Sequence, residues 1–100
     1  MDTKLIRMEI SEDKQSWKYS SLWELQKDHE IYKIRLEITK DFYHFQSYAK
    51  AFIWSPEMLK WNEMAKIHYS KMRTFQQPSG KLVFKDDVDQ LLQMVQKILD

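Results

Sequence analysis

The feature that most constrains the fold of this chain is an alternation of apolar and polar residues between Tyr32 and Thr39. Its apolar positions are Tyr32, Ile34, Leu36 and Ile38. The residues between them are charged or hydroxylated, as in a β strand with one buried face and one solvated face. Because one strand of this kind is not stable alone, the alternation predicts a sheet whose apolar face is covered by another layer.

The C-terminal segment supplies such a layer, since its apolar residues recur every three or four positions. They predict one stripe of an amphipathic helix and comprise Val88, Leu91, Leu92, Val95, Ile98 and Leu99. Asp86 or Asp87 is expected to cap this helix at its start. The preceding "QQPSG" holds the single glycine and predicts a turn, with "KLVF" (81–84) as a short strand or an extended lead-in.

Other stretches of the chain also favour strands. Segment 47–54 is rich in aromatic and small residues and predicts a strand antiparallel to 32–39. "WKYSSLWEL" (17–25) is expected to pair with 32–39 through the polar turn "QKDHE", and "KLIRMEI" (4–10) alternates as well. The polar residues 11–16, "SEDKQS", are expected to form a mobile connection.

Segment 54–69 fits two different structures. A helix would start at Ser-Pro-Glu, with a capping residue and a proline at its first position, and its apolar stripe would comprise Met58, Trp61, Ala65, His68 and Met72. In a hairpin, Ser-Pro instead opens a turn that makes Trp54 and Trp61 a cross-strand pair. One face of its second strand would then carry Trp61, Ala65, Ile67 and Tyr69. We favour the hairpin, because a further strand completes a sheet for the helix to cover.

Together these elements predict a single α+β domain over residues 1–100. Its sheet is an antiparallel meander of three to five strands, with the C-terminal amphipathic helix packed on one face. With 43% apolar residues the chain can bury a core, and without cysteine it has neither a disulfide nor a thiolate zinc site. No segment resembles a signal peptide or reaches the roughly 20 apolar residues of a membrane span, so we expect a cytoplasmic protein without membrane contact.

Catalytic motifs are not evident in this sequence. One glycine is too few for a phosphate-binding or dinucleotide-binding loop, and no serine lies in a Gly-x-Ser-x-Gly elbow. The histidines, His29, His44 and His68, lack the close spacing of helical metal ligands. The chain is therefore expected to be neither an enzyme nor a metal-binding or cofactor-binding protein.

Large aromatic side chains are the more informative feature. Phe42 and Tyr43 belong to an aromatic-rich segment between two predicted strands, and Trp54 and Trp61 flank the predicted turn. Because tyrosine and tryptophan concentrate at interface hot spots, these four residues are candidates for protein binding. The leading hypothesis is a small regulatory or protein-interaction module that uses an aromatic-rich sheet edge or loop. It would bind a protein partner or a second copy of itself as a homodimer.

The distribution of charge suggests a second hypothesis. Between Lys60 and Lys85 the basic residues are opposed by Glu63 alone, and Lys71 and Arg73 lie within this stretch. Basic residues next to sheet aromatics are typical of proteins that bind single-stranded nucleic acid. That function would require the basic groups and the exposed aromatics to share one face without intervening acids.

Overall fold

The computed structural model describes residues 2–12, 16–41, 47–68 and 81–100, except for the side chains of 81–83. These residues form five strands and one helix. The strands are β1 (Asp2–Glu12), β2 (Ser16–Lys27), β3 (Glu30–Asp41), β4 (Tyr48–Ser55) and β5 (Lys60–Ile67), and the helix is α1 (Lys81–Leu99). All five strands are antiparallel to their neighbours in the order β1-β2-β3-β4-β5, and α1 packs on the sheet. The predicted α+β meander is confirmed.

The hairpin of β2 and β3 is the longest paired element. Its register is continuous from Ser16 opposite Asp41 to Lys27 opposite Glu30, and the turn between them has two residues. Asp28 takes a left-handed conformation in this turn, with φ of 56°, which aspartate tolerates better than most residues. Residues 11 and 12 belong to β1 and residue 16 to β2, at the ends of the segment expected to be a connection.

Segment 54–69 forms the hairpin rather than the helix over its described part. Trp54 pairs with Trp61, and the backbone N–H of Met58 donates to the Ser55 hydroxyl at 3.3 Å across the intervening turn. Leu59 closes the turn with φ of 54°. The Ser-Pro pair thus opens a turn, because the strands on either side gain sheet partners that a helix would not have.

One detail of the predicted hairpin is wrong. Ala65 does not share a face with Trp61, because a bulge at Met64 shifts the β4–β5 register between the two residues. Trp61 and Glu63 therefore lie on one face of the sheet, whereas Ala65 and Ile67 lie on the other and are buried.

The helix begins earlier than the sequence predicts. "KLVF" is the first turn of α1 and not a strand, and neither Asp86 nor Asp87 caps the helix. Phe84 is fully buried and begins the apolar stripe that continues through Leu91 and Val95. Burial of the Phe84 ring against Tyr19 of β2, with centroids 5.4 Å apart, favours the additional helical turn.

Two polar contacts anchor the ends of α1. Near its start, the carboxylate of Asp87 meets the ammonium of Lys40 on β3 at 2.8 Å, and both side chains are almost completely buried. At its end, Lys27 of β2 donates to the carbonyl of Leu99 and lies 3.5 Å from the carboxylate of Asp100. A cation at this position also interacts favourably with the negative end of the helix dipole. The helix therefore runs along one sheet face, and the opposite face is left uncovered by it.

Candidate interaction face

We call the sheet surface turned away from α1 the open face. Alternation along the strands assigns residues to it: wherever one residue faces the core, its neighbours face the other side. On β4 the buried Ala49 and Ala51 alternate with Lys50 and Phe52, and Trp54 continues the same row. Lys50, Phe52 and Trp54 therefore share the open face.

The two tryptophans of the hairpin form the apolar centre of the open face. Trp54 and Trp61 meet edge to face, with ring centroids 5.4 Å apart and an angle of 61° between the planes. This is a favourable geometry for aromatic pairs. Both side chains are half-buried, so part of each ring is accessible.

The open face is concave around these aromatics. A groove of about 310 Å³ is lined by Trp61 of β5 together with residues of three other strands, namely Arg7, Glu9, Ser20, Ser21, Leu22 and Arg35. β1 and β5 are the two edges of the sheet, and four strand spacings of about 4.8 Å would separate them in a flat sheet. The groove therefore extends between side chains of both edge strands.

A second groove extends the first. It has a volume of about 430 Å³, shares Glu9 and Ser20 with the first groove, and reaches Lys18, Thr39 and Tyr48 at the far end of the sheet. The two grooves therefore adjoin and form one trough along the open face. We refer to both together as the open-face trough.

Charges of both signs lie next to one another on the open face. Arg35 forms an ion pair with Glu37 on β3, and Lys50 of β4 lies 3.2 Å from Glu63 of β5. The Lys50 ammonium also lies 5.2 Å from the centre of the Tyr48 ring. The basic groups next to the aromatics are thus partly neutralised by neighbouring carboxylates.

The hydroxyl of Tyr19 lies on the other side of the sheet, in the core. Burial raises the pKa of this hydroxyl above its ordinary value of 10.0, against the opposing effect of its hydrogen-bonded neighbours Ser21 and Trp23. Trp23 itself donates from Nε1 to the Ser21 hydroxyl at 2.8 Å. This polar cluster belongs to the packing between the sheet and the helix.

The structure brings together two of the sequence-predicted binding residues, Trp54 and Trp61. Phe42, Tyr43, Lys71 and Arg73 lie outside the described residues, so their predicted roles stay predictions. The groove residues Arg7, Leu22 and Arg35 were not among the candidates. Strand alternation places each of them on the open face, and Arg7 of β1 and Trp61 of β5 line the same groove.

The described part of the chain has no group of three or more histidine, aspartate or glutamate side chains suited to a metal ion. His29 occupies the β2–β3 turn and His68 follows β5, at opposite ends of the sheet. In the described ranges, no helix has the length and apolar character needed to cross a membrane.

Comparisons with protein-family models, curated proteins and solved structures find no match to this chain. The function must therefore be inferred from the geometry of the open face and its charges.

Proposed function

We propose that this chain is a non-catalytic protein-interaction module of the cytoplasm that binds a partner protein in the open-face trough. The observation that carries this proposal is the half-exposed Trp54–Trp61 pair on the sheet face that α1 leaves uncovered. Tryptophan contributes disproportionately to binding energy when a partner completes its burial. Phe52, which precedes Trp54 on the same row, extends this apolar surface.

The composition of the trough indicates the chemistry of the partner. The Trp54–Trp61 pair at its border suits a large aliphatic or aromatic side chain, and the open face around it offers Arg35 beside Glu37 and Lys50 beside Glu63. A protein segment that carries an apolar residue between charges of both signs matches this arrangement. Such a segment gains affinity from apolar burial and register from the flanking ion pairs.

The adjacent charges of both signs favour a protein over a single-stranded nucleic acid. A nucleic-acid surface tracks phosphates with uninterrupted basic groups, and its affinity depends on the counterions that those groups release. Glu37 and Glu63 lie next to basic groups of the open face, Arg35 and Lys50, and would repel phosphates. Binding of nucleic acid is therefore an alternative outcome of the test below.

The proposal is tested by quantitative affinity capture from the cells that produce the protein. The wild-type chain is compared with Trp61→Ser, which removes one ring of the aromatic pair, and with Arg35→Ser, which alters the trough but leaves that pair intact. We expect a partner protein that the wild type captures and that both variants lose at least about tenfold, as hot-spot substitutions do.

Ile98→Ser is the matched control, because Ile98 is a large apolar residue on α1 with 55% of its surface exposed. This variant should retain the partner. Equal capture by all variants would contradict the proposal. So would salt-sensitive binding of a random single-stranded oligonucleotide that Trp61→Ser abolishes, since that result assigns the trough to nucleic acid.

A further inference from the structure

The edge strand β1 is the least covered part of the described structure. Nine of its eleven residues are exposed, and only Met8 and Ile10 are half-buried. Leu5 and Ile6 expose 45% and 43% of their surface. The strand pairs with β2 on one side, so its other edge presents backbone N–H and C=O groups that have no strand neighbour within residues 2–12, 16–41, 47–68 and 81–100.

The direction of these backbone groups follows from the register. The two-residue turn after β2 is flanked by Lys27 and Glu30. In a hairpin with a two-residue turn, the flanking residues form a hydrogen-bonded backbone pair. Because hydrogen-bonded and non-hydrogen-bonded pairs alternate along an antiparallel ladder, the odd-numbered residues of β2 form backbone hydrogen bonds with β3 and the even-numbered ones form them with β1. The β1 residues opposite the odd-numbered positions therefore direct their backbone groups to the free edge, and these are Thr3, Leu5, Met8, Ile10 and Glu12.

A bulge in β1 arranges these outward backbone groups so that two copies of the strand can pair with each other. The β1–β2 register shifts between Leu5 and Arg7, so that Ile6 is the additional residue. Without the bulge, Leu5 and Met8 would lie on opposite faces, because they are three positions apart. With it, both lie on the face that carries α1 and both have backbone groups at the free edge.

We propose that two copies of this chain form a dimer by antiparallel pairing of their β1 strands, centred between Ile6 and Arg7. In this register the opposing residues are Thr3 with Ile10, Leu5 with Met8, and Lys4 with Glu9 of the second copy. Both open faces then lie on the same side of one ten-stranded sheet. The twofold axis repeats each pair, so Lys4 faces Glu9 twice.

The attraction between Lys4 and Glu9 favours a second copy of this chain as the binding partner of the β1 edge. The same attraction fixes the register of the two strands. Displacing the strands by two residues in one direction sets Lys4 opposite Arg7, and in the other direction it sets Glu9 opposite Ile6. Displacement by one residue brings side chains of opposite faces together. Charged residues usually protect an edge strand from pairing, but in this register they attract one another.

The other edge of the sheet is a poorer pairing surface. β5 has eight residues, compared with eleven in β1, and its bulge at Met64 interrupts the ladder. The dimer therefore uses the edge opposite Trp61, and it goes beyond the proposed function because it does not depend on binding in the trough.

The test measures dimer dissociation by sedimentation of the wild type and of charge variants over a concentration series. Lys4→Glu and Glu9→Lys each turn two attractive pairs into repulsive ones, and each should raise the dissociation constant by about tenfold or more. The double variant Lys4→Glu with Glu9→Lys restores both attractions and should return the constant to within about threefold of the wild type.

Lys66→Glu provides the matched control, because it makes the same change of charge at an exposed site on β5. It should leave the dimer unchanged, as should Trp61→Ser. A wild type that stays monomeric up to about 500 μM would overturn the proposal. A dimer that is insensitive to Lys4→Glu, or one that the double variant fails to restore, would overturn it equally. Sedimentation of the pure protein reports on the dimer alone, so it is separate from partner capture in the trough, which Glu9 also lines.

Discussion

Replacing Asp87 by alanine should be among the most destabilising single substitutions on α1. The carboxylate of Asp87 lies 2.8 Å from the ammonium of Lys40, and the two side chains are 1% and 2% exposed. At this distance and an effective dielectric constant of about 20, the gross attraction is about 6 kcal/mol. Asp87→Ala removes this attraction and leaves a buried ammonium without that counter-charge.

The net cost is smaller than the gross attraction, because the desolvation of the carboxylate is recovered when it is removed. Breaking a buried ion pair from one side costs about 3–5 kcal/mol. We expect the lower end of this range, since the Lys40 ammonium keeps its contact with the Phe84 ring, 5.6 Å from the centroid. About 3 kcal/mol corresponds to a fall in the unfolding temperature of about 12 °C or more in a domain of this size.

The assay is equilibrium unfolding in urea, followed by tryptophan fluorescence and by circular dichroism. The double variant Lys40→Met with Asp87→Leu fills the same volume with apolar groups and should lie within about 1 kcal/mol of the wild type. This expectation would be contradicted by an Asp87→Ala cost below about 1 kcal/mol. It would also be refuted if the effects of Lys40→Met and Asp87→Leu were simply additive, since a coupled pair is not.

Two further predictions concern the core. Leu91→Ala removes a fully buried side chain from the apolar stripe of α1, and we expect it to lower the free energy of unfolding by about 2–5 kcal/mol, measured from the urea midpoint. Because burial raises the pKa of Tyr19, the folded state holds the phenolic proton more tightly than the unfolded state does. That contribution to stability is complete below pH 10.0 and is lost as the pH rises through the folded pKa. Tyr19→Phe should therefore lose less stability than the wild type in urea titrations above pH 10.0, and an equal loss would contradict this explanation.

The regular parts of the fold could be predicted from local pattern. The alternation of apolar and polar residues from Tyr32 to Thr39 predicts β3, because only in a strand does every second side chain face the same side of the element. The choice between helix and hairpin after Trp54 is less direct, because Ser-Pro serves both. The hairpin is favoured there because it gives β4 a second neighbouring strand. This advantage depends on the whole sheet and not on the local sequence.

The remaining features depend on contacts between distant segments. From local sequence alone, Asp87 resembles a helix cap. In the structure it lies within α1, and its burial is explained by the ion pair with Lys40 of β3, a residue far away in the sequence. The bulges at Ile6 and Met64 change which residues share a face, although neither position contains glycine or proline. The trough was not predicted because it is lined by side chains of strands that are far apart in the sequence, from Arg7 of β1 to Trp61 of β5.

The most direct test of the proposed protein interaction is site-specific photo-crosslinking in the cells that produce this chain. A photoreactive phenylalanine analogue replaces Trp61 in one variant and Ile98 in another, and the crosslinked products are identified by mass spectrometry. We expect the trough position to crosslink to one partner protein and the α1 position not to crosslink to it. Identical products from both positions, or crosslinks from Trp61 to nucleic acid alone, would contradict it.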